Sequence, residues 1–306
     1  MQISRVVFYL WVIALCTTSV VINAKEVTQQ YKGLTLNAEF QLATGKTISD
    51  GVVLITHGAL AHRDMEAIIY LRKLLKESGY NTLAINLSLG LNNRYGMYDC
   101  KLTHHHRNDD AIDEIGMWVS WLEKQGTKKI ILLGHSRGGA QIALYAVERQ
   151  NDLLQAVVLL APATGDNTDT VAYQKRYNQA LAPLLNKAQQ LIKNGQGNTV
   201  LEHIGIMTCR DTSATADTFV SYYAQSPRLD TPYLIPKLKI PVLVVVAGDD
   251  NIVVGLDRKV APLVDGKQVQ MTVVESADHL FRDLNADDAV EAIDEFLQAI
   301  SLTSNG

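Results

Sequence analysis

A serine stands at the centre of the pentapeptide Gly-His-Ser-Arg-Gly, which occupies positions 134–138. The four residues before it are apolar, and residues 138–150 favour a helix. A serine on such a tight strand-to-helix turn points its oxygen out above the sheet, and the amides that begin the helix favour nearby negative charge. The glycines leave room for backbone contacts that a Cβ would block. The pattern therefore predicts that Ser136 is a nucleophile, and the alternative is a structural turn with an incidental serine.

With a strand and a helix on either side of the sequence GHSRGG, the chain resembles the α/β-hydrolases, and among them the serine esterases and lipases. The resemblance covers essentially all of the chain after residue 24. The family places its nucleophile, its acid and its base in that order along the chain, after successive strands. The resemblance implies hydrolysis of an acyl bond by a Ser-His-Asp triad, and it implies neither a metal nor an organic cofactor.

The same resemblance indicates the base and the acid of the triad. His279 lies in the loop after the last predicted strand, the family's position for the base, although Asp278 stands where the family often has glycine. Asp249 and Asp250 both follow the strand that should carry the acid. The family's acid is usually followed by two residues and a valine, and Val253 gives this spacing to Asp250. Asp250 is therefore the expected acid, which orients His279 and stabilises its charged form.

An oxyanion hole needs two backbone N–H groups aimed at the oxygen of the tetrahedral intermediate, and removing one costs about 3–4 kcal/mol. One expected donor is the amide of Arg137, directly after the nucleophile. The other is the amide of Ala59, in a His-Gly-X turn that resembles the family's and follows the first apolar strand. His57 in that turn is predicted to be structural. The side chain of Arg137 is expected either to contact an anionic substrate group or to pack away from the cleft.

Short apolar runs alternate with amphipathic helical patterns along most of the chain. The runs, typical of strands buried on both faces, lie at residues 51–56, 81–87, 129–133, 154–160, 241–247 and 269–274. The helical patterns lie at residues 65–78, 110–124, 138–150 and 285–300. This alternation predicts an α/β fold with a mostly parallel, doubly wound sheet, preceded by an antiparallel hairpin near residues 33–42. Ligands bind at the carboxyl ends of such strands.

One long excursion interrupts the alternation. About 80 residues without a strong strand pattern separate the fourth and fifth strands, and residues 181–192 form an amphipathic helical pattern within them. So long an excursion is usually functional, and we expect a helical lid at about residues 163–238; the alternative is an insertion that does not touch substrate. Phe219, Tyr222 and Tyr223 are candidates for lining an acyl or aromatic pocket.

The first 24 residues have the layout of a secretory signal peptide: one arginine, an apolar run, then small and polar residues ending in Ala24. Residues 25–306 would then be a hydrolase domain that is secreted or periplasmic, without a stable membrane span. An uncleaved anchor is the alternative. In an oxidising compartment Cys100 and Cys209 could pair, and the other possibility is two free thiols.

Composition excludes several classes of protein. A net charge of −4 over 306 residues offers no basic excess for nucleic acid, and three cysteines match neither a disulfide scaffold nor a zinc spacing. Three consecutive histidines, 104–106, are expected to form a solvated loop rather than a metal site, and Trp118 and Trp121 to be packing residues. The prediction is a serine hydrolase of a small-molecule carboxylic ester; the alternatives are a peptide or amide hydrolase and a non-catalytic binding protein.

Overall fold

The computed structural model describes residues 24–303, and within them the chain forms ten strands. These are β1 (Lys25–Tyr31), β2 (Leu34–Gln41), β3 (Val52–Thr56), β4 (Thr82–Asn86), β5 (Ile130–His135), β6 (Leu154–Leu160), β7 (Val200–Ile206), β8 (Cys209–Thr215), β9 (Val242–Ala247) and β10 (Val269–Val274). Eight of them make one sheet in the order β1-β2-β4-β3-β5-β6-β9-β10. The hairpin β1–β2 pairs antiparallel with β4, and the other neighbours are parallel. The predicted α/β sheet is confirmed.

The parallel strands end level with one another. Thr56 of β3 pairs with Gly134 of β5, and Ala247 of β9 pairs with Val274 of β10. The loops that follow these four strands therefore leave the sheet at one edge. They carry residues 57–61, the serine turn, the two aspartates and His279.

Nine α-helices accompany the strands in the described part of the chain. They are α1 (Glu66–Glu77), α2 (Asn108–Lys124), α3 (Arg137–Glu148), α4 (Thr170–Tyr177), α5 (Leu181–Lys193), α6 (Ala216–Tyr223), α7 (Thr231–Leu234), α8 (Leu256–Val260) and α9 (Leu284–Thr303). Alternate strand residues point to opposite faces, which is why Leu54 lies in one apolar core with Ile142 of α3, and Ile55 in a second core with Ile293 of α9. None of these helices is long and apolar enough to cross a membrane.

The tryptophans pack as predicted. Trp118 of α2 is fully buried in the first core, and the ring of Trp121 meets it edge to face with centroids 5.8 Å apart. Edge-to-face contacts of this kind add stability beyond the apolar area that they bury.

Residues 163–238, which we call the cap, are not purely helical. Helices α4, α5 and α6 are joined there by the antiparallel hairpin β7–β8, which the sequence analysis missed. The strand residues are half polar and interrupted by register shifts, so neither apolar run nor strict alternation marked them. Phe219 and Tyr223 pack against Tyr173 inside the cap rather than lining a pocket, whereas Tyr222 borders a cavity.

The cap is attached to the loop between β4 and α2. A disulfide joins Cys100 of that loop to Cys209 of β8. Beside the disulfide, the amide of His104 donates to the carbonyl oxygen of Ser213 at 2.8 Å. The amide of Thr215 donates to the carbonyl oxygen of His104 at 3.0 Å. The cap is therefore held at this point by a covalent bond and a strand-like pairing.

The expectation of a solvated histidine loop is wrong for two of the three residues. His104 and His106 are 0% and 1% exposed, because β8, α6 and the ring of Tyr98 cover them; His105 alone faces solvent. Nδ1 of His104 lies 3.0 Å from Nε2 of His106, whose Nδ1 lies 2.8 Å from the Tyr222 hydroxyl. Burial lowers the pKa of both histidines, that of His104 to about 4, so this hydrogen-bonded pair of side chains is uncharged at neutral pH.

The predicted signal peptide, residues 1–24, lies outside the described residues apart from Ala24.

Candidate active site

Ser136 lies on a sharp turn between β5 and α3. Its backbone has φ 55° and ψ −122°, a conformation that a residue with a side chain adopts only when its surroundings hold it there. Its amide donates to the carbonyl oxygen of Leu160 at 2.9 Å, and its carbonyl oxygen accepts from the amide of Ala163 at 3.0 Å. A Cβ on Gly134 would lie 2.5 Å from the carbonyl oxygen of Gly138, so the turn requires glycine there. A Cβ on Gly138 would lie 2.5 Å from the carbonyl oxygen of Thr56 in β3, so the turn packs against both neighbouring strands.

The structure brings Ser136, His279 and Asp250 into one hydrogen-bonded chain. The serine Oγ lies 2.9 Å from Nε2 of His279, and Nδ1 of His279 lies 2.7 Å from Oδ2 of Asp250. These distances let the imidazole take the serine proton while its other nitrogen remains protonated and bound to the carboxylate. Ser136 and His279 are 143 positions apart in sequence, and His279 and Asp250 are 29 apart. The three side chains therefore come from distant loops and meet at one edge of the sheet.

Asp250 is held as a carboxylate. Burial opposes its ionisation, but hydrogen bonds from His279 and from the amides of Val253 and Ile252 outweigh that effect, and the pKa of Asp250 falls below its ordinary value. The two amides bind Oδ1 at 2.9 and 2.7 Å, which leaves Oδ2 for the imidazole. Asp249, the competing aspartate, is exposed.

His279 is positioned by a residue that the sequence analysis did not identify. Nε2 of His135, the residue before the serine, donates to the backbone carbonyl oxygen of His279 at 2.7 Å. Burial lowers the pKa of His135 to about 4, so it is neutral and has one N–H to give. The carboxylate of Asp278 binds the amide of Leu280 and the side chain of Arg282 instead. No feature of the sequence distinguished His135, because the motif accepts many residues at that position.

The two expected oxyanion donors have no other acceptor. Among residues 24–303 the amides of Ala59 and Arg137 donate to no backbone or side-chain group. The turn that carries Ala59 lies against the serine, since a Cβ on Gly58 would be 3.3 Å from the Cβ of Ser136. Arg137 begins α3, so its N–H also belongs to the positive end of a helix dipole.

His57 and Arg94 donate hydrogen bonds to carbonyl oxygens of that turn. Nδ1 of His57 donates to the carbonyl oxygen of Gly58 at 2.9 Å, and the guanidinium of Arg94 donates to the carbonyl oxygen of Ala61 at 2.8 Å. Burial and the charge of Arg94 lower the pKa of His57 to about 3. The buried ring therefore acts structurally, as predicted. Arg94 escaped the sequence analysis because a lone arginine after a strand has no distinctive pattern.

The side chain of Arg137 lies over the ring of Tyr222, with 5.3 Å between the guanidinium carbon and the ring centroid. Within residues 24–303, no group of three or more histidine, cysteine, aspartate or glutamate side chains has the arrangement of a metal site.

A protein-family model matches most of the chain. The Hydrolase_4 model, described as serine aminopeptidase S33, matches residues 47–283. A Mycoplasma pneumoniae protein provisionally named esterase/lipase 3 is 38% identical over 68 residues. That match covers 21% of this chain and 25% of the relative, so the chain spans about a quarter of the length of this curated relative.

Solved structures share the fold across nearly the whole chain. Est1E from Butyrivibrio proteoclasticus, solved with ferulic acid bound, has a TM-score of 0.66 at 17% identity, covering 90% of this chain and 99% of its own. A monoacylglycerol lipase from Paleococcus ferrophilus has a TM-score of 0.59 at 19% identity, covering 87% and 99%. A Pyrococcus furiosus esterase has a TM-score of 0.56 at 17% identity, covering 90% and 91%. Likeness at this identity establishes the α/β-hydrolase fold.

Proposed function

Because the chain belongs to the Hydrolase_4 (serine aminopeptidase S33) family of α/β-hydrolases, we propose that it is a serine hydrolase of small carboxylic esters. The observation that carries this proposal is the chain of contacts from Ser136 through His279 to Asp250, at 2.9 and 2.7 Å. The remaining parts of the proposal follow from the groups around it.

The reaction begins when His279 takes the proton of Ser136 and the serine oxygen attacks the ester carbonyl carbon. The carbonyl π electrons move onto oxygen, where the amides of Ala59 and Arg137 stabilise the negative charge. His279 then protonates the departing alcohol, and an acyl-serine remains. Water, deprotonated by His279, attacks this ester, and the carboxylic acid leaves as Ser136 recovers its proton. Asp250 keeps Nδ1 of His279 protonated throughout.

Esters are preferred over peptides for an electrostatic reason. The family name raises the aminopeptidase alternative, and an aminopeptidase must bind the ammonium group of a peptide N-terminus. The ionic side chains beside Ser136 are unsuited to this, since Arg137 is cationic and the nearby carboxylates of Asp109 and Glu148 already pair with Arg228. The esterases among the solved relatives are consistent with an ester substrate.

Export is part of the proposal. The predicted signal peptide directs the chain to an oxidising compartment, and the disulfide between Cys100 and Cys209 is the kind of bond that persists there. We place the mature protein, residues 25–306, outside the cell or in the periplasm, with the cap of residues 163–238 covering the carboxyl edge of the sheet.

Labelling with a fluorophosphonate, followed by peptide mapping, tests the nucleophile. We expect covalent modification of Ser136 in the wild-type protein, hydrolysis of short 4-nitrophenyl esters, and neither in Ser136→Ala. An unlabelled but folded wild type would favour the non-catalytic binding protein. Labelling of Ser136 together with hydrolysis of aminoacyl amides and of no ester would favour the peptidase.

A further inference from the structure

A narrow cavity adjoins the serine turn, between the first turn of α3, the loop after β6 and the cap. Asn108, Arg137, Thr164 and Tyr222 are among the residues that line it. Ala163, also in the wall, is the residue whose amide binds the carbonyl oxygen of Ser136. The cavity therefore adjoins the turn that carries Ser136.

The cavity holds one uncompensated positive charge. Arg228 also borders it, but Arg228 is paired with Glu148 at 2.6 Å and with Asp109 at 2.7 Å. Arg137 has no carboxylate within 4.0 Å among the residues that the structure describes, and its guanidinium lies over the ring of Tyr222. Its guanidinium keeps its hydrogen-bond donors available.

Two buried side chains add donors without acceptors. Asn108 is 5% exposed; its Oδ1 accepts from Gln141 at 3.4 Å, and its amide hydrogens reach no acceptor in the described chain. Thr164 is 4% exposed; its Oγ1 accepts from Lys259 at 3.5 Å, and its own hydrogen is likewise unused. Both groups thus keep a hydrogen-bond donor available at the wall of the cavity.

Tyr222 supplies a further donor through the buried histidine chain. Nε2 of His104 is buried without a partner, and because buried N–H groups are left unpaired even more rarely than acceptors, this nitrogen carries no proton. Nδ1–H of His104 then donates to His106, and Nδ1–H of His106 donates to the Tyr222 oxygen. The hydroxyl hydrogen of Tyr222 remains free to bind a ligand.

Resting on the proposed function, we infer that this cavity is an anion subsite and that the favoured substrates are esters bearing a carboxylate near the scissile bond. A carboxylate has two oxygens that accept about four hydrogen bonds and carry the complementary charge. A neutral alkyl chain would leave the four groups unpaired, and Arg137 would repel an ammonium group.

Matched substrates test the subsite. The first pair is 4-nitrophenyl hydrogen adipate and 4-nitrophenyl hexanoate, which differ in the acyl half; the second is 4-carboxyphenyl hexanoate and phenyl hexanoate, which differ in the alcohol half. We expect kcat/KM to favour the charged member of one pair by about tenfold or more, as a charge-assisted hydrogen bond allows. Arg137→Gln should remove that preference, and Arg137→Lys should keep part of it.

The ratio within a pair is the measured quantity, because both members present the same kind of ester to Ser136 and any disturbance of the Arg137 amide cancels. Arg210→Gln removes an equal charge from an exposed position on β8 and should leave the ratio unchanged. Equal kcat/KM values within both pairs for the wild type, or a preference that survives Arg137→Gln, would overturn the subsite and leave the hydrolase intact.

Calorimetric titration with adipate tests the cavity without turnover. We expect binding to the wild type and its loss in Arg137→Gln. If no ester is hydrolysed the proposed function fails, and this titration still decides the subsite: no heat of binding with the wild type overturns it.

Discussion

At the scale of single residues, hydrogen bonds to Asp250 and His135 fix the orientation of the His279 imidazole. Oδ1 of Asp250 is occupied by two backbone amides, so only Oδ2 faces His279. His135 binds the backbone of His279 rather than its ring. The imidazole therefore has one orientation, in which Nε2 faces the serine.

The two adjacent aspartates provide a matched test of that orientation. Asp250→Asn should lower kcat by about 10³–10⁴-fold, because an amide at this position favours the wrong imidazole tautomer. Asp249→Asn makes the same chemical change at an exposed position and should keep kcat within about twofold. Steady-state kinetics on a 4-nitrophenyl ester measure both. Equal losses in the two variants would contradict the assignment of the acid.

At the scale of elements, the cap and the loop before α2 form one unit. The disulfide between Cys100 and Cys209 closes a stretch of 109 positions, and hydrogen bonds of His104 to β8 lie beside it. Helices α5 and α6 pack on each other within the cap, and α6 presents Tyr222 to the histidines of the loop. The covalent link therefore holds β8 of the cap beside the loop before α2.

Removing that link should destabilise the protein. The double variant Cys100→Ser/Cys209→Ser should lose about 2–5 kcal/mol of unfolding free energy, since a long loop in the unfolded chain is no longer closed. Urea denaturation of the wild type, with and without reductant, measures the effect. Reductant should not change the double variant, which controls for effects unrelated to this bond. An unchanged denaturation midpoint for the reduced wild type would show that the disulfide contributes nothing.

At the scale of the whole molecule, two apolar cores surround the sheet whose loops carry the site. The buried carboxylate of Glu114 on α2 accepts from the amide of Ser88 at 2.8 Å and binds the Ser88 hydroxyl. Burial raises the pKa of Glu114 to about 7, against the hydrogen bonds from Ser88 that lower it. The folded chain therefore holds a proton that the unfolded chain releases near pH 4.5.

This difference makes global stability depend on pH. Between about pH 4.5 and pH 7 the folded state binds the extra proton, so the contribution of Glu114 to the unfolding free energy falls as pH rises. Relative to Glu114→Gln, the wild type should lose stability between about pH 4.5 and pH 7, as urea denaturation would show. Glu123→Gln, at an exposed position of the same helix, should show no such trend. A constant difference between wild type and Glu114→Gln would contradict the raised pKa.

Local patterns in the sequence determined the strands β3, β4, β5, β6, β9 and β10, most helices and the turn at Ser136. Each of these depends on neighbours along the chain: apolar runs are typical of strands buried on both faces, and Gly134 is required by the nearby backbone of Gly138. Likewise the position of His279, after the last strand, could be predicted because parallel strands deliver their following loops to one edge.

Tertiary structure alone decided the contacts between distant segments. The burial of His104 and His106, the pairing of Cys100 with Cys209 and the support of the Ala59 turn by Arg94 each depend on residues remote in sequence or on loop paths without a pattern. The sequence does not say whether a histidine or an arginine is exposed or buried, and the environment of the side chain decides whether it is charged. That environment is formed by residues that are distant in sequence, so local sequence patterns do not predict it.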